Sequence, residues 1–177
     1  MKTAALILLG WAAVTLTACD KAKVRAVPPD PMAAAAPAPE AGPPAAVLSA
    51  GLTKRPEFPG FYLDRAGAAP DPINRQPAVT PADQPIVLDG FGFDPVAKTP
   101  AKGVDVVVDG KAYGTTYGGP RQDVATYNKV PGLVPVGYRT TLPAGALAVG
   151  SHTVVVRVIA ADGKAYFEGP PIAFQVR

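Results

Sequence analysis

The chain has 177 residues, among them 22 Pro and 18 Gly, with 18% charged and 7% aromatic side chains and a formal net charge of +3. The Pro excess argues against a helical bundle or a doubly wound α/β enzyme, because Pro breaks helix interiors and central strands. So small and scattered a charge gives no ground for a nucleic-acid partner, a single Cys excludes an internal disulfide framework, and the length suits one domain plus segments outside it.

The first residues read as an export address. Lys2 supplies a short positive region, and Ala4 to Val14 is apolar. That run is too short for a comfortable membrane span, which needs roughly 20 apolar residues. It ends in Leu16-Thr17-Ala18-Cys19. An aliphatic residue, two small residues and a Cys in this order resemble the lipobox of bacterial lipoproteins. The resemblance implies cleavage after a signal peptide of residues 1–18, a diacylglyceryl group on the Cys19 thiol and an acylated Cys19 amine. The membrane is then a partner through the acyl chains, since two or more chains anchor stably where one does not. The plainer alternative is an ordinary signal peptide followed by a chance Cys. Asp20 resembles the inner-membrane retention signal of enterobacterial lipoproteins. It implies the periplasmic face of the inner membrane, with the outer membrane as the alternative. Lys21, Lys23 and Arg25 would add about 1 kcal/mol each against anionic headgroups.

From Ala26 to Pro56 the composition shifts to Pro and Ala, with the run Ala33 to Ala36 and few large hydrophobes. Such a stretch cannot bury enough surface to offset its chain entropy. Its prolines favour extended, semi-rigid backbone, reaching at most roughly 90 Å. Residues 19–57 are therefore expected to be a lipidated Cys and a disordered spacer, and residues 58–177 the folded domain. A Pro-motif ligand for a partner is the alternative use of the spacer.

Beyond the spacer, short strand patterns alternate with turn residues. Phe61–Asp64 is expected to form the first strand and Ile86–Phe93 the second. Val104–Val108 and Lys111–Tyr117 flank Asp109-Gly110, a type I′ hairpin signal. A short helix is expected over Pro120–Tyr127, with Pro in its first turn. Gly137–Leu142, His152–Ala160, Lys164–Phe167 and Ile172–Val176 complete the strands. Period-two alternation puts Val104, Val106 and Val108 on one face, as it does Val154, Val156 and Val158, and Ile172, Phe174 and Val176. Seven or so strands over this length predict an all-β, immunoglobulin-like β-sandwich.

Several landmarks in order resemble a bacterial Ig-like accessory module: Tyr62-Leu63-Asp64, Leu88-Asp89-Gly90-Phe91-Gly92-Phe93-Asp94, Val106-Val107-Val108-Asp109-Gly110, Tyr117-Gly118 with Arg121 and Asp123-Val124, Gly137-Tyr138, Gly150-Ser151-His152 and Asp162-Gly163. Members often carry Trp where Phe91 or Phe93 stands here. The resemblance implies an architecture found on envelope proteins and polysaccharide-related enzymes, and no common activity.

Reactive constellations are sparse. His152 is the one His, and Ser49 and Ser151 are the two Ser. Ser151 and His152 are neighbours on a strand, so their side chains point to opposite faces and cannot form a nucleophile–base pair. A zinc site needs several N or S ligands. Asp89, Asp94, Asp105, Asp109 and Asp123 match no calcium-loop spacing, and turn or solvent-face roles are expected for them. No metal, cofactor or catalytic residue is expected. Arg121 and Asp123 flank the helical turn, where Arg121 either pins the loop to a neighbouring strand or contacts a ligand. Tyr113, Tyr117 and Tyr127 lie near Gly118-Gly119 and are either an aromatic ligand face or ordinary core and strand-pair tyrosines. The expectation is a non-enzymatic, lipid-anchored envelope protein that contacts a protein or a glycan. The alternatives are a glycan-active enzyme using Asp or Glu carboxylates and a structural part of an envelope assembly.

Overall fold

Valine at alternate positions builds the centre of this protein, because β-branched side chains suit a pleated, buried surface. The structure, a computed structural model, describes residues 45–177. Its strands in chain order are β1 (Thr53–Arg55), β2 (Gly60–Ala66), β3 (Ala69–Pro70), β4 (Val79–Thr80), β5 (Ile86–Asp94), β6 (Thr99–Pro100), β7 (Gly103–Val108), β8 (Lys111–Gly114), β9 (Thr116–Pro120), β10 (Pro135–Leu142), β11 (Gly150–Ile159), β12 (Ala165–Glu168) and β13 (Ile172–Val176). Between β9 and β10 lie a short helix, α1 (Gln122–Asn128), and a 3-10 turn (Pro131–Leu133).

The strands form two sheets. In the first, β11 is central. Strand β7 pairs along one side of it, and β13 and β12 share the other, at its start and end. Strand β8 extends this sheet from β7, β1 from β12 and β4 from β13. In the second sheet the order is β3-β2-β5-β10-β9, with β6 beside the end of β5. Pairing is antiparallel except for β1 with β12 and β4 with β13.

The inward rows of both sheets share one apolar cluster. Val104, Val106 and Val108 of β7 and Val154, Val156 and Val158 of β11 lie in it with Leu63, Leu88, Phe167 and Phe174. Burying each such side chain contributes roughly 1.5–3 kcal/mol, enough across these rows to oppose the entropy of ordering the strands. The sheets pack closely at Gly92. A Cβ there would lie 2.7 Å from Val104 Cγ2 and 3.0 Å from Val158 Cγ2, so this position needs glycine. The β7–β8 hairpin turns at Asp109 and Gly110 with φ of 48° and 83°, as a type I′ turn requires.

A second, smaller cluster lies on the outer face of the second sheet. Tyr62, Phe91 and Phe93 stack in a row with centroids 6.2 and 6.3 Å apart. Val124 and Ala125 of α1, with Leu133 and Val136, pack over Phe91 and Phe93. Seven residues form only a marginal helix alone; this apolar underside holds α1 in place.

Several expectations change. The Lys111–Tyr117 run is two strands, because the chain leaves β8 in the first sheet and enters β9 in the second. The Thr115 hydroxyl marks the corner by donating to the Val104 carbonyl at 2.6 Å. Pro120 ends β9 instead of opening the helix; the Arg121 amide still donates across to the Val134 carbonyl at 2.7 Å, which keeps the chain extended to that point. Asp94 and Asp105, expected in turn or solvent-face roles, are buried. Asp94 does organise a turn, accepting the Val96 and Ala97 amides at 2.9 Å on one oxygen and the Ala161 amide at 2.9 Å on the other.

Asp105 fastens the segment that composition assigned to the spacer. Its Oδ2 accepts the amides of Leu48 at 2.9 Å and Ser49 at 2.6 Å. The same segment crosses Gly114, where a Cβ would collide with the carbonyl oxygens of Ala45 and Ala46, and it leads into β1. Residues 45–57 thus form a strap on the outer face of the first sheet. Among the described residues Asp105 Oδ1 has no hydrogen-bond partner, so the two strap amides carry what this carboxylate contributes. Asp105→Ala should destabilise the protein by about 1–3 kcal/mol, the cost of leaving buried donors unpaired. It should also speed hydrogen exchange at Leu48 and Ser49; unchanged exchange at both would show that the strap holds without Asp105.

Candidate functional site

A groove of about 660 Å³ lies on the second sheet, lined by residues of β2, β5, β9 and β10 and by Arg121. Its polar groups come from Asp64, Asp89, Arg121 and Arg139. A β-bulge at Asp64, between the paired residues Leu63 and Arg65, re-aims the Asp64 side chain. On the far wall β9 carries a second irregularity around Gly118, with φ of 102°. Strand β9 is an outer strand of its sheet, and this bulge with Pro120 blunts its free edge against pairing with another strand.

Arg121 organises one half of the groove. Its Nε and Nη2 donate to the two oxygens of Asp123 at 2.9 and 2.7 Å, while Nη1 donates to Asp64 at 2.6 Å. The guanidinium also lies over the Phe91 ring, 4.9 Å from its centroid. A planar, five-donor cation is the one side chain that can make all of these contacts together. In the other half, Arg65 and Arg139 both donate to Asp89, the Arg139 bond being 2.8 Å. Strand pairing sets these contacts up, since Arg65 and Arg139 stand on either side of Asp89 on β5.

The ionisable groups respond accordingly. Burial raises the Asp64 pKa above the usual carboxylate value; the Arg121 contact opposes that and the charges of Asp89 and Asp123 reinforce it. Asp123 is lowered, first by its hydrogen bond from Arg121. Arg121 itself is raised, first by its bond to Asp123. Tyr138, fully buried behind the groove, is held well above 10 by desolvation and by the nearby Asp64 and Asp89 charges. Its hydroxyl donates to the Tyr62 carbonyl at 3.0 Å.

The tyrosines named from sequence stand on three elements. Tyr113 is on β8 in the first sheet, with the Lys111 ammonium 5.1 Å from its ring. Tyr117 is on β9 and lines the groove. Its hydroxyl donates to the Gly92 carbonyl at 2.7 Å and accepts the Ala101 amide at 2.9 Å, and burial pushes its pKa up to about 12. Tyr127 is on α1 and exposed. Arg121 and Tyr117 thus meet in the groove, whereas Tyr113 and Tyr127 lie outside its lining. Cys19 and Asp20 lie outside the described residues. Asp64, Asp89 and Arg139 were not singled out as a group by sequence. Their cross-strand registry was the missing information, because the bulge at Asp64 leaves no mark in the residue pattern. Among the described residues no three His, Cys, Asp or Glu side chains stand together as metal ligands.

His152 sits apart, at the start of β11. Its Nδ1 lies 2.6 Å from Asp109 Oδ2 and its Nε2 lies 2.7 Å from the Ala148 carbonyl. Both ring nitrogens face acceptors, so only the doubly protonated ring donates to both. Burial would lower the His152 pKa, but the bonds to Asp109 and Ala148 outweigh it and leave the value above 6.5. A raised folded pKa gives stability that is complete below pH 6.5 and is lost as pH rises through the folded value. Thermal melts should therefore show stability falling as pH climbs from 6.5, and His152→Gln should flatten that slope. An equal slope in the variant would assign the pH dependence elsewhere.

Comparison with protein-family models finds no match, and comparison with curated proteins finds none. Among solved structures the chain is similar to the endo-beta-1,4-mannanase from Thermotoga petrophila, at a TM-score of 0.40 and 14% identity. The likeness covers 70% of this chain and 20% of that one, so the chain spans a small part of that enzyme's length. A likeness of this degree says nothing about activity.

Proposed function

We propose that this protein is a lipid-anchored bacterial envelope protein that presents a non-catalytic Ig-like module for contact with an envelope protein or a glycan. One observation carries the reading of the site: the groove carboxylates are already engaged by arginines, Asp64 by Arg121 and Asp89 by Arg65 and Arg139. A carboxylate in a charge-assisted bond to guanidinium is a good fixed acceptor. The groove therefore offers paired donors and acceptors with little net charge, which suits a neutral polar ligand such as a sugar or a peptide backbone.

The Ig-like part of the reading is supported by strand order. A sheet β2-β5-β10-β9 faces a sheet β8-β7-β11 that continues into β12 and β13. Labelled A to G, the order reads A-B-E-D against C′-C-F-G, which supports an immunoglobulin-like arrangement. The anchored part rests on Leu16-Thr17-Ala18-Cys19. Among the described residues no helix is long and apolar enough to cross a membrane.

Expression of Cys19→Ala should abolish palmitate labelling and release the protein from membranes. Persistent labelling would overturn the anchor. A second reading, a glycan-active enzyme, is favoured by the proximity of Asp64, with its raised pKa, to Asp89. Incubated with envelope glycans, the protein should release no new reducing ends; turnover that Asp64→Asn or Asp89→Asn removes would replace the binding module with that enzyme.

A further inference from the structure

We infer that the loop end of the two-sheet body at the close of β5 is a docking surface for an anionic lipid bilayer. Three loops meet there around a second cavity of about 320 Å³, whose lining includes Phe58, Pro95, Lys98, Asn128 and Val130. Phe58 is 66% exposed, Val96 58% and Tyr127 89%. Side chains of this size left in water at two loop tips and near the end of α1 mark a surface that something else covers.

The loop chemistry selects the covering. Lys98 lines the cavity, and Lys129 stands between Asn128 and Val130 on its rim. Among the described residues neither lysine has a carboxylate within ion-pair distance. Glu57, next to Phe58, is the one acid adjoining the exposed tips in sequence. Apolar tips flanked by unpaired lysines fit a surface that is anionic outside and apolar beneath, which describes a bilayer rich in acidic lipids. The tips are also pre-set. Buried Asp94 caps the Val96 and Ala97 amides, and Lys98 and Lys129 adopt φ of 53° and 56° in closed turns. Rigid presentation lowers the ordering cost of docking.

Weak affinity suffices for this role. A flexible tether gives its cargo an effective concentration on the order of mM at the surface to which it is attached. A patch too weak to hold a free protein would still orient an anchored one. The inference rests on the envelope reading for the supply of a membrane, and on the loop chemistry for everything else.

The chain beginning at Cys19 can be coupled through its single thiol to vesicles bearing maleimide headgroups, which supplies the tether chemically. It lacks Trp11, so Val96→Trp introduces the sole tryptophan. On phosphatidylglycerol-rich vesicles its emission should shift to the blue and be quenched by brominated acyl chains. The response should vanish on phosphatidylcholine vesicles and in the Lys98→Glu/Lys129→Glu background. Val149→Trp reports from the opposite end, beside the start of β11, and should not respond. A solvent-like spectrum at position 96 on anionic vesicles overturns the inference, as does an equal response at position 149. Protection of position 96 only on adding soluble envelope proteins also overturns it, in favour of a protein partner. Because attachment here is chemical, a failure of acylation in cells would remove the anchor reading and leave this result unaffected.

Discussion

The interlock of two valine rows with the inner face of β5 is the constraint on which the other contacts depend. Val104, Val106 and Val108 lie beside Val154, Val156 and Val158 across β7 and β11, and together they meet Leu63 and Leu88 from the other sheet. At Gly92 the sheets touch with no room for a Cβ. Within the second sheet the Tyr117 hydroxyl donates to the Gly92 carbonyl and accepts the Ala101 amide, which ties the link between β6 and β7 to that sheet. One hydroxyl thus gives partners to two backbone groups that would otherwise be left without them.

Once the core is closed, each sheet has an outer face to cover, and the chain covers the two differently. The second sheet places Tyr62, Phe91 and Phe93 in a stacked row and roofs Phe91 and Phe93 with α1 and its neighbouring turn. Arg121, immediately before α1, completes the roof by lying over Phe91 while holding Asp64 and Asp123. The groove is therefore a by-product of roofing. Its cation is fixed by the same loop that covers the aromatics. The first sheet is covered by the strap, which ends in β1 and is held by Asp105. Under the proposed N-terminal anchor, load would enter the body through this strap and be shared between the carboxylate and the β1–β12 pairing.

Much of this was legible in the residues. Alternating valines located β7 and β11 and their inward faces, and Asp109-Gly110 located the hairpin between β7 and β8. These signals are local, with period two and two-residue turns, and so they survive in a one-dimensional reading. The strap did not. Ala45 to Arg55 holds Val47, Leu48 and Leu52 and no Pro, but it was read together with the Pro/Ala-rich stretch before it, and its docking depends on a carboxylate more than fifty residues away. Asp105 read as a solvent-facing residue because alternation reports which face a side chain is on, and is silent about what covers that face. The crossing between sheets at Thr115 was hidden for a similar reason: Lys111 to Tyr117 is β-compatible throughout, and nothing in its composition marks a corner. Of the site, Arg121 and Tyr117 were named, but Asp64 and Asp89 become groove partners only through strand registry and a bulge.

The groove and the β5 loop end differ in how their charges are used. In the groove, guanidinium and carboxylate satisfy one another at 2.6 to 2.8 Å, so little field extends outward. Recognition there has to come from shape and from hydrogen bonds made on contact. At the loop end Lys98 and Lys129 have no such partners among the described residues. Their field reaches about one Debye length, roughly 8 Å at physiological ionic strength. That is far enough to act on an anionic layer before the tips of Phe58 and Val96 touch it. Attraction at a distance therefore belongs to the loop end and discrimination at contact to the groove. The proposed membrane contact at one end and the proposed ligand contact along one sheet are compatible, because the loop tips of the first surface are absent from the lining of the second.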